Sequence, residues 1–315
     1  MPKNKVILNV DPGIDDLAAL VLAKASGNIE VLALITSYGN KSVDITTSNT
    51  LRLAELLNLN VPIAVGNKTP LIPHTRIEYL GSAAHGDDGL GNKTGLLPYP
   101  VTLPKNANAV EVIAKLISES PDLVSIISTA PLTNIAILLL SHPELKEKID
   151  SVIFSGGASH TGNILPGVEA NILADPEAAQ IVLQSGVRTI MCPIEAGEEA
   201  YLTFEDRERL KNAGTLTARF MFEALWHYAD HYENLLGREG CPIHDSVPLA
   251  FLIDPKLIET KEFYVEIDLT GYFTRGATMI DKLKILNKQP NLSVVTSLDR
   301  NGVNQLLFDS LRRVK

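Results

Sequence analysis

The feature that most constrains the fold is the alternation of short apolar runs with amphipathic segments along most of the chain. Continuous runs of Val, Ile and Leu are typical of strands buried on both faces, and the segments between them predict helices that cover a parallel sheet. Helices are predicted from about Ile14 to Ala25, through VDITTSNTLRLAELLNL, and from near Pro131 and Asp175. The predicted strands are KVILNV, EVLALIT, VPIAV, LVSIIS, SVIFSG and RTIMC. This pattern predicts an α/β fold with a doubly wound, mainly parallel sheet and flanking helices.

The last third of the chain has a more mixed pattern. Helices are predicted near 203–232 and 245–253, followed by strands at FYVEIDL, ATMID and LSVVTSL and by a terminal helix. We interpret this part as a smaller mixed C-terminal extension of the sheet. No Pro- or Ser-rich linker, charge block or repeat divides the 315 residues, so a single domain over residues 1–315 is expected.

Charge and composition exclude several kinds of partner. A formal net charge of −9 argues against a nucleic-acid backbone and is compatible with a small neutral substrate or a metal cation. The chain has no signal-peptide pattern at its start and no apolar run of roughly 18–20 residues, so no membrane partner is expected. Cys192 and Cys241 are too few for a disulfide framework. A cytoplasmic location is therefore expected.

Polar residues follow the predicted strands at the points where those strands end. Asp11 follows the first strand, Asn40 the second, Thr129 the strand LVSIIS, and Gly156 and Gly157 the strand SVIF. In open α/β sheets the crevice beyond the carboxyl ends of the strands is the usual ligand site. These separate segments are therefore expected to converge on one site.

The most acidic of these segments is the turn Asp11-Pro12-Gly13-Ile14-Asp15-Asp16. Asp15 and Asp16 fall in the first turn of a predicted helix, where the helix dipole favours negative charge, so each on its own is explained by helix capping. Three carboxylates so close together repel one another if they are buried without a cation. Carboxylates with a backbone carbonyl suit calcium or magnesium, and the cluster therefore predicts a metal site.

Two other chemistries place acidic residues after a first strand. A phosphatase of the haloacid dehalogenase type needs an Asp pair two positions apart, and here the pair is Asn9 and Asp11, which lacks the nucleophile. A dinucleotide-binding site needs a glycine fingerprint at this turn, and DPGIDD does not contain one. The sequence favours neither alternative.

Eight motifs follow one another along essentially the whole chain: DPGIDD, TSYGN, AAHGDDGLG, STAPLTNIA, SGGA, GNILPGVEANILADPEAA, IHDSVPLAFLIDP and GYFTRGATMID. Together they resemble, in order, those of the inosine-uridine-preferring nucleoside hydrolases. The resemblance implies calcium-dependent hydrolysis of the N-glycosidic bond of inosine- or uridine-like ribonucleosides to ribose and free base, in nucleoside salvage. It also implies a homodimer or homotetramer.

The resemblance also implies a role for each matching residue. Calcium is expected to be held by Asp11, Asp16, the carbonyl of Thr129 and Asp245. Asp11 is also the expected general base, and His244, with a pKa expected near neutrality, the expected proton donor to the leaving base. The residues expected to hold the ribose are Asp15, Asn163, Glu169 and Asn171, and Asn40 is expected to help position water or sugar. The residues expected near the base are His85, His244, Tyr228 and Tyr232.

Several of these residues also have a purely structural explanation. Asn163 lies in a Gly-Asn turn, where Asn is common in any case. Tyr228 and Tyr232 lie four residues apart on one helix face, which is equally typical of core packing. Asp175 precedes Pro176 and is interpreted as a helix N-cap outside the site. The glycine-rich segment at 74–95 is expected to close over the substrate.

Three positions depart from the family pattern. Asn9 stands where the signature usually has Asp, Ser155 where many members have Met, and Ala170 where many have an aromatic residue. The two smaller side chains favour hydrolysis of a modified or bulkier nucleoside as an alternative. Asn9 raises a second alternative, a non-catalytic calcium-dependent nucleoside binder.

Overall fold

A computed structural model describes residues 3–73, 82–99, 108–237 and 239–314. The strands and helices largely follow the predicted segments, with helix α1 beginning at Asp16 rather than Ile14. The strands are β1 (Asn4–Val10), β2 (Ile29–Thr36), β3 (Ile63–Val65), β4 (Val124–Ser128), β5 (Ile149–Ser155), β6 (Thr189–Cys192), β7 (Tyr201–Leu202), β8 (Cys241–Pro242), β9 (Ile258–Phe263), β10 (Val265–Ile267), β11 (Thr278–Ile280) and β12 (Leu292–Leu298). The α-helices are α1 (Asp16–Ala25), α2 (Val43–Leu56), α3 (Ser82–His85), α4 (Ala109–Glu119), α5 (Thr133–Ser141), α6 (Ala170–Ala174), α7 (Pro176–Leu183), α8 (Ile194–Glu199), α9 (Phe204–Lys211), α10 (Leu216–Leu236), α11 (Ser246–Ile253) and α12 (Arg300–Leu311).

The main sheet has eight strands in the order β3-β2-β1-β4-β5-β6-β12-β9 within the described residues. All neighbours are parallel except β9, which runs antiparallel to β12 at the edge. The order reverses direction between β1 and β4, which pair directly, with Asn9 opposite Ser128. A reversal of this kind opens a crevice at the carboxyl ends of the two strands, where ligands bind in open α/β sheets.

The sheet is covered on both faces, as the continuous apolar strands predict. Along β1, Val6 and Leu8 face one hydrophobic cluster, whereas Ile7 faces the other. Helices α1, α10, α11 and α12 pack on the first side, and α4, α5 and α7 on the second. The predicted doubly wound α/β architecture is therefore confirmed. None of the described helices combines the length and apolar character needed to cross a bilayer.

The C-terminal strands differ from the three strands predicted at FYVEIDL, ATMID and LSVVTSL. The run FYVEIDL does not form one strand, because the chain is divided at Tyr264 between β9 and β10. Strand β12 alternates buried and partly exposed residues and lies inside the main sheet, whereas the charged run IETKEF forms the exposed edge strand β9. Of the strands in this C-terminal part, β10 and β11 leave the main sheet and form a small antiparallel ribbon, and β7 and β8 form another ribbon earlier in the described chain. The mixed extension is thus smaller than the three predicted strands indicate.

Candidate active site

The predicted polar segments meet at the carboxyl edge of the sheet. One cavity is lined by the ends of β1, β2, β4, β5 and β6 and by the segment that leads into α11. Its described lining comprises Asp15, Asn40, His85, Thr129, Ser155, Gly156, Asn163, Glu169, Asn171, Ile194, Tyr228, Tyr232, His244 and Asp245. All the residues predicted to hold the ribose or to lie near the base are among them. Asp11 and Asp16 lie buried behind this lining.

Three buried carboxylates form the centre of the site. Asp15, Asp16 and Asp245 each offer an oxygen, and these oxygens lie within 4.8 Å of one another. Asp16 is held in place by the Gly13 amide, which donates to Oδ2 at 2.8 Å, and by the Thr129 hydroxyl, which donates to Oδ1 at 2.6 Å. The structure therefore includes Asp15 in the tight acidic group, whereas the resemblance assigns it to the ribose.

Asp11 lies next to this group, and only one of its two carboxylate oxygens has a hydrogen-bond partner among the described residues. Its Oδ2 accepts the Asn40 backbone amide at 2.7 Å. Its Oδ1 is buried and has no hydrogen-bond partner. Gly39 makes this packing possible, because a Cβ at that position would lie 2.0 Å from Asp11 Oδ2. A buried carboxylate oxygen without a partner is unfavourable unless a proton, a water or a cation satisfies it.

Burial dominates the electrostatics of the cluster. Loss of hydration, reinforced by Asp16, raises the pKa of Asp15 to about 7. Burial also raises the pKa of Asp16 to about 6, and raises those of Asp11 and Asp245 well above the ordinary value. Several carboxylates held apart from water are the ligand set that a hard cation prefers, and the residues present therefore fit such an ion.

These pKa shifts predict a stability change with a definite sign. The folded metal-free site retains protons that the unfolded chain has lost. The stability of the fold therefore falls as the pH rises from 3.8, the ordinary pKa of an aspartate, to about 7, the raised pKa of Asp15. A bound cation takes the place of those protons. We expect calcium to raise the melting temperature by about 5–10 °C at about pH 8, and by much less at about pH 5.

Thermal melts in chelator and in calcium at both pH values check this expectation. The Asp16→Asn variant is the control, since it removes one carboxylate and should abolish most of the calcium-dependent shift. An equal shift at both pH values, or none at either, contradicts the assignment of the cluster as a cation site.

The opposite wall of the cavity carries the predicted ribose-side residues. Glu169 is the N-cap of α6: its Oε1 accepts the Asn171 amide at 2.8 Å, and its Oε2 accepts the Gly157 amide at 2.9 Å. Burial raises its pKa to about 7. The Asn171 side-chain amide donates to the Thr129 carbonyl at 2.9 Å, and Asn163 Oδ1 accepts the Ala170 amide at 3.0 Å. This wall is thus hydrogen-bonded to Thr129, whose hydroxyl contacts the acidic group.

Two tyrosines and two histidines close the far end. His85 stacks on Tyr228 with ring centroids 5.0 Å apart, and Tyr228 meets Tyr232 edge-on at 4.8 Å. The Tyr232 hydroxyl lies 3.1 Å from His244 Nε2. Burial, together with the charge of Asp15, raises the pKa of both tyrosines. The two tyrosines therefore adjoin both the acidic group and His244.

The protonation of the two histidines differs from the sequence-based expectation. Burial lowers the pKa of His244 to about 4 and that of His85 to about 3, so both rings are neutral at pH 7. The expectation of a His244 pKa near neutrality is wrong, because its surroundings desolvate it. The Ile14 amide donates to His85 Nδ1 at 3.0 Å, which places the proton of the neutral ring on Nε2.

Two contributors to the site are not predicted by the sequence motifs. Ile194 lines the cavity, and Gly197 lies so close to His244 that a Cβ would be 1.9 Å from Nδ1. Both follow β6, whose carboxyl end meets the same edge of the sheet. Applying the strand-end argument to RTIMC would have identified this segment.

Asp175 and Asn9 are buried but do not line the described cavity. Asp175 is the N-cap of α7, where it accepts the Ala178 amide at 3.0 Å, as predicted. Asn9 donates to Ser128 Oγ at 2.8 Å and accepts from Asn134 Nδ2 at 2.7 Å. An amide at position 9 is thus satisfied beneath the acidic turn, and the departure from Asp leaves the cluster intact.

The glycine-rich segment proposed as a closing loop is held in place over its described part. Residues 74–81 lie outside the described residues, and residues 82–95 follow them. The Asp88 carboxylate accepts the amides of Leu90, Asn92 and Thr94 at 2.8–2.9 Å. Asn49 joins the segment to the acidic turn by donating to the carbonyls of Asp88 and Pro12. This part serves to position His85.

The fold and the site together define an α/β enzyme with a buried carboxylate centre at the switch point of its sheet. The family model for inosine-uridine preferring nucleoside hydrolases matches residues 6–305. The pyrimidine-specific ribonucleoside hydrolase RihA of Escherichia coli O17:K52:H18 is 39% identical over 309 residues, which cover 98% of each chain. The chain therefore belongs to the inosine-uridine preferring nucleoside hydrolase family.

Solved structures agree with this assignment. The plant nucleoside hydrolase PpNRh1 superposes with a TM-score of 0.91 at 30% identity, covering 99% of both chains. A purine-preferring ribonucleoside hydrolase from Gardnerella vaginalis superposes with a TM-score of 0.88 at 26% identity, covering 98% of this chain and 99% of the other. The family is thus shared by proteins of different base preference.

Proposed function

We propose that this chain hydrolyses the N-glycosidic bond of ribonucleosides, with calcium as its cation and pyrimidine nucleosides as its preferred substrates. The observation that carries the proposal is the meeting of a buried carboxylate cluster, an amide-lined wall and a histidine–tyrosine end in one cavity. These are the groups that a diol, a sugar ring and a nucleobase respectively require. Family membership supports the reaction class.

The cation is assigned to the acidic cluster. Its proposed ligands are Asp11, Asp16, Asp245 and the carbonyl of Thr129, and the partnerless Oδ1 of Asp11 and the closeness of Asp16 and Asp245 support this set. Oxygen ligands of this kind fit calcium. When bound, the ion supplies positive charge that anchors the ribose hydroxyls and acidifies water.

The side chains supply the rest of the chemistry. Asp11, whose pKa burial raises, takes a proton from the attacking water as general base. Cleavage builds positive charge on C1′ and the ring oxygen, as in glycoside hydrolysis, and nearby carboxylate and amide oxygens stabilise it. The residues proposed to hold the ribose are Asp15, Asn40, Asn163, Glu169 and Asn171.

The leaving base is placed at the enclosed end, against His85, Tyr228, Tyr232 and His244. Because His244 is neutral at pH 7, it acts there as a hydrogen-bond donor from a neutral ring in contact with Tyr232, not as a preformed imidazolium. His85 presents its Nε2 proton as a second donor. A ring N–H donor at this end suits a carbonyl oxygen of a pyrimidine leaving group.

Base preference is checked with a nucleoside panel in calcium. We expect kcat/KM for uridine and cytidine to exceed that for inosine by at least about tenfold, a difference of about 1.4 kcal/mol. The pyrimidine specificity named for the RihA relatives supports this order. Inosine cleaved as well as uridine would contradict the base preference, and no ribose from any nucleoside would contradict the reaction itself.

Location and assembly remain proposals. We propose a cytoplasmic enzyme of a single domain, active as a homodimer or homotetramer, on the strength of the family resemblance. Light scattering coupled to gel filtration measures the assembly directly.

A further inference from the structure

The buried face of α10 carries Tyr228 and Tyr232 into the cavity, and the outer face of the same helix carries an exposed tryptophan. Trp226, the only tryptophan of the chain, is 48% exposed. Phe222 meets it edge-on, with ring centroids 6.4 Å apart, and Arg207 of α9 stacks on its ring, with Cζ 3.9 Å from the centroid. Aromatic side chains and arginine are enriched at protein–protein interfaces, so this surface has the composition of a contact region.

The guanidinium of Arg207 lacks a counter-ion in the part of the chain that the structure describes. Arg207 is buried, its Nε and Nη2 have no hydrogen-bond partner, and the rings of Trp226 and Phe204 lie against it. A second cation is close by, because Lys211 Nζ lies 5.7 Å from the centroid of the Phe222 ring. A buried cation without a counter-ion is unfavourable, and an acidic partner at this surface would offset that cost.

The outer face of α10 has opposite charges on the two sides of Trp226. Arg219 lies seven residues before Trp226 and Glu233 seven residues after it, so the three side chains share one face of the helix. All three are exposed, as is Asp230, whereas positions 220, 221, 224, 225, 228, 229 and 232 are buried. Within the described residues, Arg219, Asp230 and Glu233 form no ion pair. The face is therefore positive at its N-terminal end and negative at its C-terminal end.

The stability of the helix itself does not explain this order of charges. A helix dipole favours acidic side chains near the N-terminus and basic ones near the C-terminus. Helix α10 has no acidic residue in its first turn and no basic residue in its last, and Arg219 and Glu233 stand in the unfavourable order. The same order is favourable when two copies of the helix pack antiparallel, because each end then faces the opposite charge of its partner.

We propose that the outer face of α10 is the two-fold interface between two copies of this chain, an inference that rests on the oligomer of the proposed function. In a two-fold interface the residue on the axis meets its own copy. With the axis at Trp226, antiparallel packing sets Arg219 opposite Glu233 of the partner subunit and Phe222 opposite Asp230 of the partner subunit. The cations of α9 then face the acidic end of the partner helix, and the interface lies behind the helix face that lines the cavity.

Trp226 reports on this interface in the unmodified protein, because the chain has no other tryptophan. The protein is diluted through the concentration range in which light scattering shows dissociation, and tryptophan emission is recorded at each step. We expect the emission to shift to longer wavelength as the subunits separate, since the ring then meets water. Emission that stays unchanged through dissociation overturns the inference and leaves the proposed oligomer standing.

Charge reversal tests the antiparallel pairing. Arg219→Glu and Glu233→Arg should each raise the dissociation constant by at least about tenfold, because the two-fold axis turns two attractive contacts into repulsive ones. Each reversal supplies the charge that the helix dipole favours, so both variants should fold. The double variant Arg219→Glu/Glu233→Arg restores the attraction and should return the dissociation constant to within about threefold of the original. Glu147→Arg, an exposed reversal outside α9 and α10, is the matched control.

Single reversals without effect, or a double variant as weakened as the single ones, overturn the antiparallel pairing at α10. An equal loss in Glu147→Arg also overturns it, because the effect then follows net charge and not this face. A chain that is monomeric at every concentration overturns the inference and the proposed oligomer together. Release of ribose from uridine, measured on the same preparations, tests the proposed reaction separately from the assembly.

Discussion

Replacing Asp11 by Asn lowers kcat for uridine by about 10²–10⁴-fold, measured as released ribose at saturating calcium. The carboxylate that takes the proton from water is lost, whereas the packing is kept. An Asn side chain has nearly the same shape and can still accept the Asn40 amide, which lies 2.7 Å from Asp11 Oδ2. The variant should therefore fold, and its effect should appear in kcat.

Asp11 is also a proposed calcium ligand, and the two roles are separated by the calcium dependence of the rate. If calcium binding were the only role, raising the calcium concentration would restore kcat. A loss that persists at saturating calcium identifies the general base. Activity within about tenfold of the unmodified enzyme at saturation would show that another group takes the proton.

Replacing Gly197 by Ala has the second largest expected effect. A Gly to Ala change inside a helix normally stabilises it by about 0.5–1 kcal/mol. Here the new Cβ would lie 1.9 Å from His244 Nδ1 and 2.7 Å from His244 Cα. Rotating the imidazole does not relieve a contact with its own Cα, so the backbone of His244 and Asp245 must move.

We expect Gly197→Ala to destabilise the protein by about 1–3 kcal/mol, as overpacking usually does. Because Asp245 follows His244, we also expect kcat/KM to fall by about 100-fold, the effect of misplacing a site by about 1 Å. Thermal melts and uridine kinetics measure the two effects. Gly27→Ala is the matched control, since nothing lies within 4 Å of a Cβ there.

Loss of stability in both glycine variants would point to a general cost of the substitution and would contradict the specific contact. Loss of activity in Gly197→Ala with an unchanged melting temperature would locate the effect in the site itself. Unchanged stability and activity in Gly197→Ala would show that His244 is not held against α8.

Much of the site can be located from the sequence because strand ends are a local feature. The polar residues after β1, β2, β4 and β5 predict one shared edge, and the cavity includes all four segments. The strand-end argument as made covers β1, β2, β4 and β5 and leaves out β6, so Ile194 and Gly197 are not predicted. Asp175 is recognisable as an N-cap because an Asp-Pro helix start is also local.

The protonation states of the histidines and the exact positions of the acidic side chains cannot be predicted from the sequence. The pKa of His244 depends on burial among residues distant in the chain, including Tyr232 and the helix that contains Gly197. The membership of Asp15 in the tight acidic group depends on Asp245, which lies far along the chain. Such distances are set by how the helices pack on the sheet.

The sequence by itself determined the α/β architecture, the acidic turn after the first strand and the family to which the chain belongs. These follow from apolar periodicity and from motifs, both of which act over short stretches of chain. Only the tertiary structure decided that the acidic turn meets Asp245 and Thr129 and that both histidines are neutral. Contacts, burial and exposure of this kind arise when remote segments pack together, because desolvation acts on the assembled site and not on any one motif.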